Sequence, residues 1–402
     1  VLPDALPLAP PSLPPGSTGI DDRDRTAFDD LARRIDMRAP VSASDLHRGE
    51  ELVVRYPNQA GPRALLENLL LLASDQERAA RRPSQAAAHA RRANEVQPGS
   101  ANAGKALLFA LIEDADWPAA EAAARALLAH QPRNPEALRA LGFALMRQDR
   151  GPEAREALRA SLEARDDAST RALFDMVSKS LADQQGMTEQ RLSHFHVRYD
   201  GGQHEDVGRE VLRALERHYS TLARTLDHQP AATIPVVLFS QRAYFDATGA
   251  PAWSGGQYDH FDGRITVPIG GLTSSLTPTL DAVLIHELAH AFVTDRSRGV
   301  APREIQEGLA QYVEGQRSDG LGAGGMRALA EGRVQGVAGF YAFSLAFVEQ
   351  LIAERGQGGM NDALRIMGET GRVDDAFSRV YGRTFSEAQR TFADRLRLQH
   401  AR

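Results

Sequence analysis

The chain contains no cysteine, which excludes disulfides, thiolate metal ligands and a cysteine nucleophile, and leaves histidine, glutamate and aspartate to hold any metal. Lysine is nearly missing too. Lys105 and Lys179 are the only two, so positive charge is almost entirely arginine, and the formal net charge of -6 shows no basic excess of the kind that marks a nucleic-acid surface. No window approaches the ~18 uninterrupted apolar residues of a membrane span, so none is expected. What is present is ordinary globular composition, 402 residues with 42% hydrophobic and 25% charged, enough for roughly two or three domains with sizeable cores.

The opening, VLPDALPLAPPSLPPGSTG, is too dense in proline for a continuous helix, and residues 1–25 read as an extended or disordered linker. It lacks an initiator methionine. The expectation drawn from this is an exported chain, periplasmic or extracellular, whose signal peptide has been removed; the alternative is simple truncation, with a cytoplasmic location then open. Residues 26–188 are rich in alanine, leucine and arginine with helical periodicity. A 34-residue period links Pro98 with Pro132, Ala86 with Ala120 and Ala154, Leu107 with Leu141, and Leu111 with Leu145. The stretch Asn134 to Asp167 resembles the tetratricopeptide repeat, with Leu141-Gly142 and Ala154 where small residues let paired helices cross closely. Such repeats, over about residues 67–167, imply a surface for a protein partner. A helical spacer that only packs on the next domain is the alternative.

After Gln185 the texture changes. His194 to Tyr199 alternates like a strand, and Gly201-Gly202 breaks it before a helix over about 205–226. Thr233 to Phe239 reads as a second strand, with Pro235 consigning its early part to a sheet edge or a strand start. Gly256 to Phe261 and Arg264 to Pro268, joined by Asp262-Gly263, form the clearest hairpin in the chain. The fold class expected is α+β, a helical repeat domain followed by a domain of small mixed sheet and helices over residues 189–402.

That second domain contains His286-Glu287-Leu288-Ala289-His290, within Thr279 to Asp295. Residues four apart share a helix face, so His286 and His290 can offer two imidazole nitrogens to one metal, with Glu287 beside them facing a water on it. This is the HExxH zinc-peptidase signature. Thr277-Pro278 supplies a cap and first-turn proline, and Leu284, Leu288 and Ala291 form an apolar stripe suited to a half-buried helix. A catalytic zinc needs a third protein ligand. Val293 and Arg296 stand where the metzincin extension requires glycine and histidine, which excludes that class. The next helix, Ala301 to Gly315 with Pro302 at its first position, offers Glu304 or Glu307. Glu304 lies in the first turn, where a carboxylate complements the helix dipole. Glu307 is deeper and is followed by Gly308 and Ala310, small residues that would let this helix approach the histidine helix. Glu307 is therefore the expected ligand. His194, His196 and His204 are rival ligands; His194 and His196 alternate onto one strand face but have no third ligand at a recognisable spacing, and are expected to be surface or partly packed residues. His260 is expected to line the cleft without a catalytic role.

HELAH followed seventeen residues after its second histidine by EGLAQY resembles the gluzincin branch of zinc metallopeptidases, and specifically the bacterial peptidase MA-like domain. In that family's second motif a tryptophan stands where this chain has Glu304. The resemblance extends through Tyr341 to Gly356 and Asp374 to Leu396, roughly the chain from His194 onward. It implies a zincin-like fold and one Zn²⁺ held by His286, His290 and Glu307. It further implies Glu287 as general base, and Tyr341, at the start of a long helix, as stabiliser of the oxyanion. By the same resemblance Gln311, one turn past Glu307, would orient a ligand histidine. In zinc peptidases generally the strand bordering the cleft holds substrate by strand addition, and the hairpin from Tyr258 to Val267 is the candidate here. The expected function is hydrolysis of peptide bonds. The rival is a non-catalytic interaction protein whose second domain is a scaffold, against which the intact Glu287 argues.

Overall fold

The computed structural model describes residues 20–199, 201–249, 255–269 and 277–400, with the side chains of 201–207 excepted. Most of the proline-rich opening therefore lies outside the described residues. The chain divides into two compact units, Val1–Lys179 and Ser180–Arg402.

Helices α1 (Asp22–Asp36), α2 (Ala43–Arg55), α3 (Ala60–Ala79), α4 (Pro83–Val96) and α5 (Ala101–Glu113) begin the first unit, and α6 (Trp117–His130), α7 (Pro135–Arg147), α8 (Gly151–Ala164) and α9 (Ala168–Asp183) follow. The linker expected over 1–25 gives way to helix at Asp22, because its last prolines lie upstream and Asp22 and Asp24 suit a first turn. From α3 to α8 each helix packs on the next, and α3, α5 and α7 also touch in series. Small residues set the spacing. Ala86, Ala120 and Ala154 are fully buried, and a Cβ on Gly142 would stand 2.6 Å from Leu158 Cγ. Side-chain caps fix the starts: Ser42 makes a capping box at α2, and Asn134 Oδ1 accepts the Ala137 N–H at 3.0 Å.

The second unit carries β1 (Thr188–Arg191), β2 (Phe195–Tyr199), α10 (Gly201–Thr225), β3 (Ile234–Phe239), α11 (Gln241–Thr248), β4 (Gln257–Asp259) and β5 (Arg264–Pro268). Sheet order is β1-β2-β3-β5-β4, with β2, β3 and β5 parallel and both outer strands antiparallel to their neighbours. The architecture is α+β, mostly helical with one small mixed sheet. Period-two alternation assigns the faces. Phe195, Val197, Tyr199, Ile234, Val236, Leu238, Ile265 and Val267 enter the main core, while Val237 and Phe239 pack with Tyr244 on the other side. Pro235 lies in a central strand, opposite His196; it is the second residue, so the missing N–H falls where the ladder begins. The polar strand TEQR of β1 gave no hydrophobic pattern and was not expected.

Helix α12 (Pro278–Ser297) crosses this core, covered by α10 and by α13 (Arg303–Glu314). Its start is as read: Thr277 Oγ1 accepts the Leu280 N–H at 3.2 Å and Pro278 stands in the first turn. It is buried more completely than a one-sided stripe predicts, with Leu284, Ile285 and the run Glu287 to Thr294 all inside. A 3-10 turn (Ser318–Leu321), α14 (Gly322–Ala330), α15 (Gly336–Thr370), α16 (Val373–Tyr381) and α17 (Phe385–His400) complete the unit. Among the described residues, α15 alone is long and apolar enough to cross a membrane, but it breaks at Gly356 (φ 69°) and packs on α12 and α13. Among the described residues there is thus no clear transmembrane segment.

Candidate metal centre

His286 and His290 project from one face of α12, and Glu307 faces them from α13. Glu307 Oε2 lies 3.6 Å from His286 Nε2 and 3.6 Å from His290 Nε2, and the three ligand atoms all lie within 4.8 Å of one another. A separation of 3.6 Å is too long for a hydrogen bond, and Glu307 Oε2 is buried with no hydrogen-bond partner. Zinc bonds of about 2.0–2.2 Å at near-tetrahedral angles put ligand atoms roughly 3.3–3.6 Å apart. The orphaned oxygen thus stands from each of the two nitrogens at a separation that suits a small divalent cation shared among them.

The far sides of both rings are held. His286 Nδ1 donates to Glu314 Oε2 at 3.0 Å and His290 Nδ1 donates to Gln306 Oε1 at 3.3 Å, which turns both Nε2 atoms towards Glu307. Gln306 Nε2 donates in turn to Thr294 Oγ1 at 3.1 Å, fixing the amide's orientation, and Thr294 Oγ1 meets His260 Nδ1 at 3.0 Å. Glu314 and Gln306 were missed in the sequence. The signal was there: Glu314 is seven residues past Glu307, two turns along one helix face, and Gln306 is its neighbour.

Gln311, expected to orient a histidine, does something else. Its Nε2 donates to the backbone oxygens of Glu307 and Tyr341, each at 3.1 Å, and so joins α13 to α15. Gly308 likewise serves α15, since a Cβ there would stand 2.3 Å from the Ser344 carbonyl oxygen; it does not set the approach to the histidine helix. Glu304 turns away and accepts from Gln389 at 2.9 Å. His194 pairs with Glu216 and stacks on Tyr219, while His196 pairs with Glu189 beside Arg198. Neither joins a metal cluster among the described residues, and the His204 side chain lies outside them.

Charge at the centre is arranged for a cation. Burial works against a proton on His286, yet Glu307 and Glu314 beside the ring more than offset it and hold its pKa at about 10. Burial would raise Glu307, but the two histidines hold it down at about 2. Glu287, fully enclosed, is pushed up by burial, with the histidines and the Tyr258 N–H only partly restoring its anion. The hairpin lies against it: a Cβ on Gly256, just before β4, would stand 3.1 Å from Glu287 Cγ. The half-buried Tyr341 hydroxyl is raised by burial and by the nearby Glu307 and Glu287 carboxylates. Glu287, Tyr341, the triad and the sheet's terminal strand are thus neighbours.

No protein-family model matches the chain, and no curated protein matches it.

Proposed function

We propose that the second unit is a zinc-dependent peptidase of the gluzincin type, with a zincin-like, peptidase MA-like domain. The observation that carries this reading is the buried, unbonded Glu307 oxygen equidistant from two imidazole nitrogens whose opposite ring nitrogens are already engaged. His286, His290 and Glu307 would hold one Zn²⁺. When bound, zinc supplies a water acidified towards a pKa of about 7 and polarises the scissile carbonyl. Glu287 takes the proton of the attacking water on its carboxylate and returns it to the departing amine. Its burial favours this double duty, since a carboxyl with a raised pKa accepts a proton readily. Tyr341 donates a hydrogen bond from its hydroxyl to the oxygen on which charge develops and keeps its proton. The β4 strand, packed over Glu287, provides the edge along which an extended substrate backbone lies. The first unit is read as a tetratricopeptide-like array that takes a peptide or protein partner.

Glu287→Gln tests the reading. It preserves shape and leaves the three ligands in place, so zinc content should be unchanged while peptide cleavage falls by about 10² to 10⁴. Cleavage at the wild-type rate by this variant would refute the mechanism, and a wild type that binds zinc yet cleaves nothing in a broad peptide library would favour the scaffold reading.

A further inference from the structure

Arg303 stands one turn before Glu307 on the same face of α13, about 6 Å away along the axis. Its guanidinium carbon lies 5.1 Å from the centre of the Phe340 ring, and Phe340 meets Tyr341 edge-on with ring centres 5.9 Å apart. The side chain is exposed, and among the described residues it has no ion-pair partner. Arg317 shows the contrast: it too lies over an aromatic ring, that of Tyr312, but it also approaches Glu349. Arg303 is a cation held in place by stacking, with its donors left for something else.

Its position gives that something a chemical class. Besides Glu307 of the triad, the Glu287 and Glu314 carboxylates also lie beside it, so Arg303 is the cation on this face that would answer an anionic substrate group. Arg303 and Glu307 leave α13 only one turn apart, and the Arg303 guanidinium rests on Phe340 next to Tyr341, so a substrate group that reaches it belongs to a residue near the scissile bond. Resting on the peptidase reading, we propose that Arg303 is a specificity-determining residue that binds a substrate carboxylate next to the cleaved bond. A free C-terminus and an acidic side chain present the same two oxygens to the guanidinium fork.

The experiment uses the zinc-loaded full chain and three peptide hydroxamates of equal length: one with a free C-terminus, one amidated with an aspartate side chain, and one amidated and neutral. Calorimetry on wild type, Arg303→Gln and Arg303→Lys reads their affinities. One carboxylate-bearing ligand should bind wild type about five- to tenfold tighter than the neutral one, and which of the two gains identifies the source. The advantage should vanish in Arg303→Gln and persist in part in Arg303→Lys, which keeps the charge but loses the fork. Zinc-dependent binding with no carboxylate preference, or a preference that survives Arg303→Gln, would overturn this inference alone. Absence of zinc-dependent binding of all three would overturn the metal-centre reading and the inference with it.

Discussion

Glu314→Ala isolates what the structure adds to a three-residue motif. Glu314 touches neither Glu307 nor the centre of the triad; its one link to it is the 3.0 Å hydrogen bond from His286 Nδ1. Removing the carboxylate frees the His286 ring to rotate and to exchange tautomers, and it withdraws a negative charge from a buried ligand. Loss of such an orienting partner costs about 10- to 100-fold in metal affinity, or roughly 1.4–2.7 kcal/mol. Competition against a chelator of known zinc affinity measures it directly. Gln311→Ala is the control, because Gln311 bonds only backbone oxygens in α13 and α15. It should lower the melting temperature while leaving zinc affinity within about threefold, the loss of two neutral hydrogen bonds being a matter of stability. If Gln311→Ala lost zinc tenfold and Glu314→Ala kept it, the assignment of the orienting residue would be wrong.

Glu307→Ala should abolish tight zinc binding while Glu304→Ala, whose carboxylate is occupied by Gln389, should keep it; metal analysis after dialysis decides between them. Gly308→Ala should destabilise the second unit by on the order of 3 kcal/mol or more, because a methyl cannot coexist with a carbonyl oxygen at 2.3 Å, and an unchanged denaturation midpoint would contradict that packing. Asp167 accepts the Thr170 hydroxyl at 2.5 Å and its N–H at 3.0 Å at the start of α9, which hold its carboxyl well below the ordinary value. That stabilisation is fully present above the unfolded pKa of ~3.9 and is lost as pH falls towards the folded value, so Asp167→Asn should lower stability at neutral pH and weaken its fall below about pH 4 in acid titrations.

The parts of the fold that were legible in the sequence are those set by short-range pattern. The alternation in Phe195 to Tyr199 and in Ile234 to Phe239 and the Thr277-Pro278 start each correspond to an element found, and the expected hairpin is there too, though its first strand ends at Asp259 and residues 260–263, not Asp262-Gly263 alone, make the turn. What the pattern could not supply was coverage. An apolar stripe on α12 implies one partner surface, whereas α12 is enclosed by α10 on one side and α13 and α15 on others, and only tertiary packing decides that. The polar strand β1 is the converse case. Its residues carry no burial signal, since the strand is stabilised by ladder bonds to β2 and by Glu189 reaching His196 and Arg198.

The candidate site divides along the same line. Helical spacing was enough to put His286 and His290 on one face, and Glu307, preferred to Glu304 for its depth in the helix, is the carboxylate that faces them. Small residues were a poorer guide, because a glycine announces close approach without naming what approaches. Gly308 faces the Ser344 carbonyl of α15, while Glu307, one residue earlier, faces the histidines of α12. By helical spacing, residues 303, 307 and 314 share one face of α13, while the Glu304 side chain meets α17 and that of Gln311 the backbone of α15. The proposed ligand Glu307, the Glu314 carboxylate and Arg303 thus share one face of α13, and a substitution that rotates α13 about its own axis should disturb zinc affinity and carboxylate preference together.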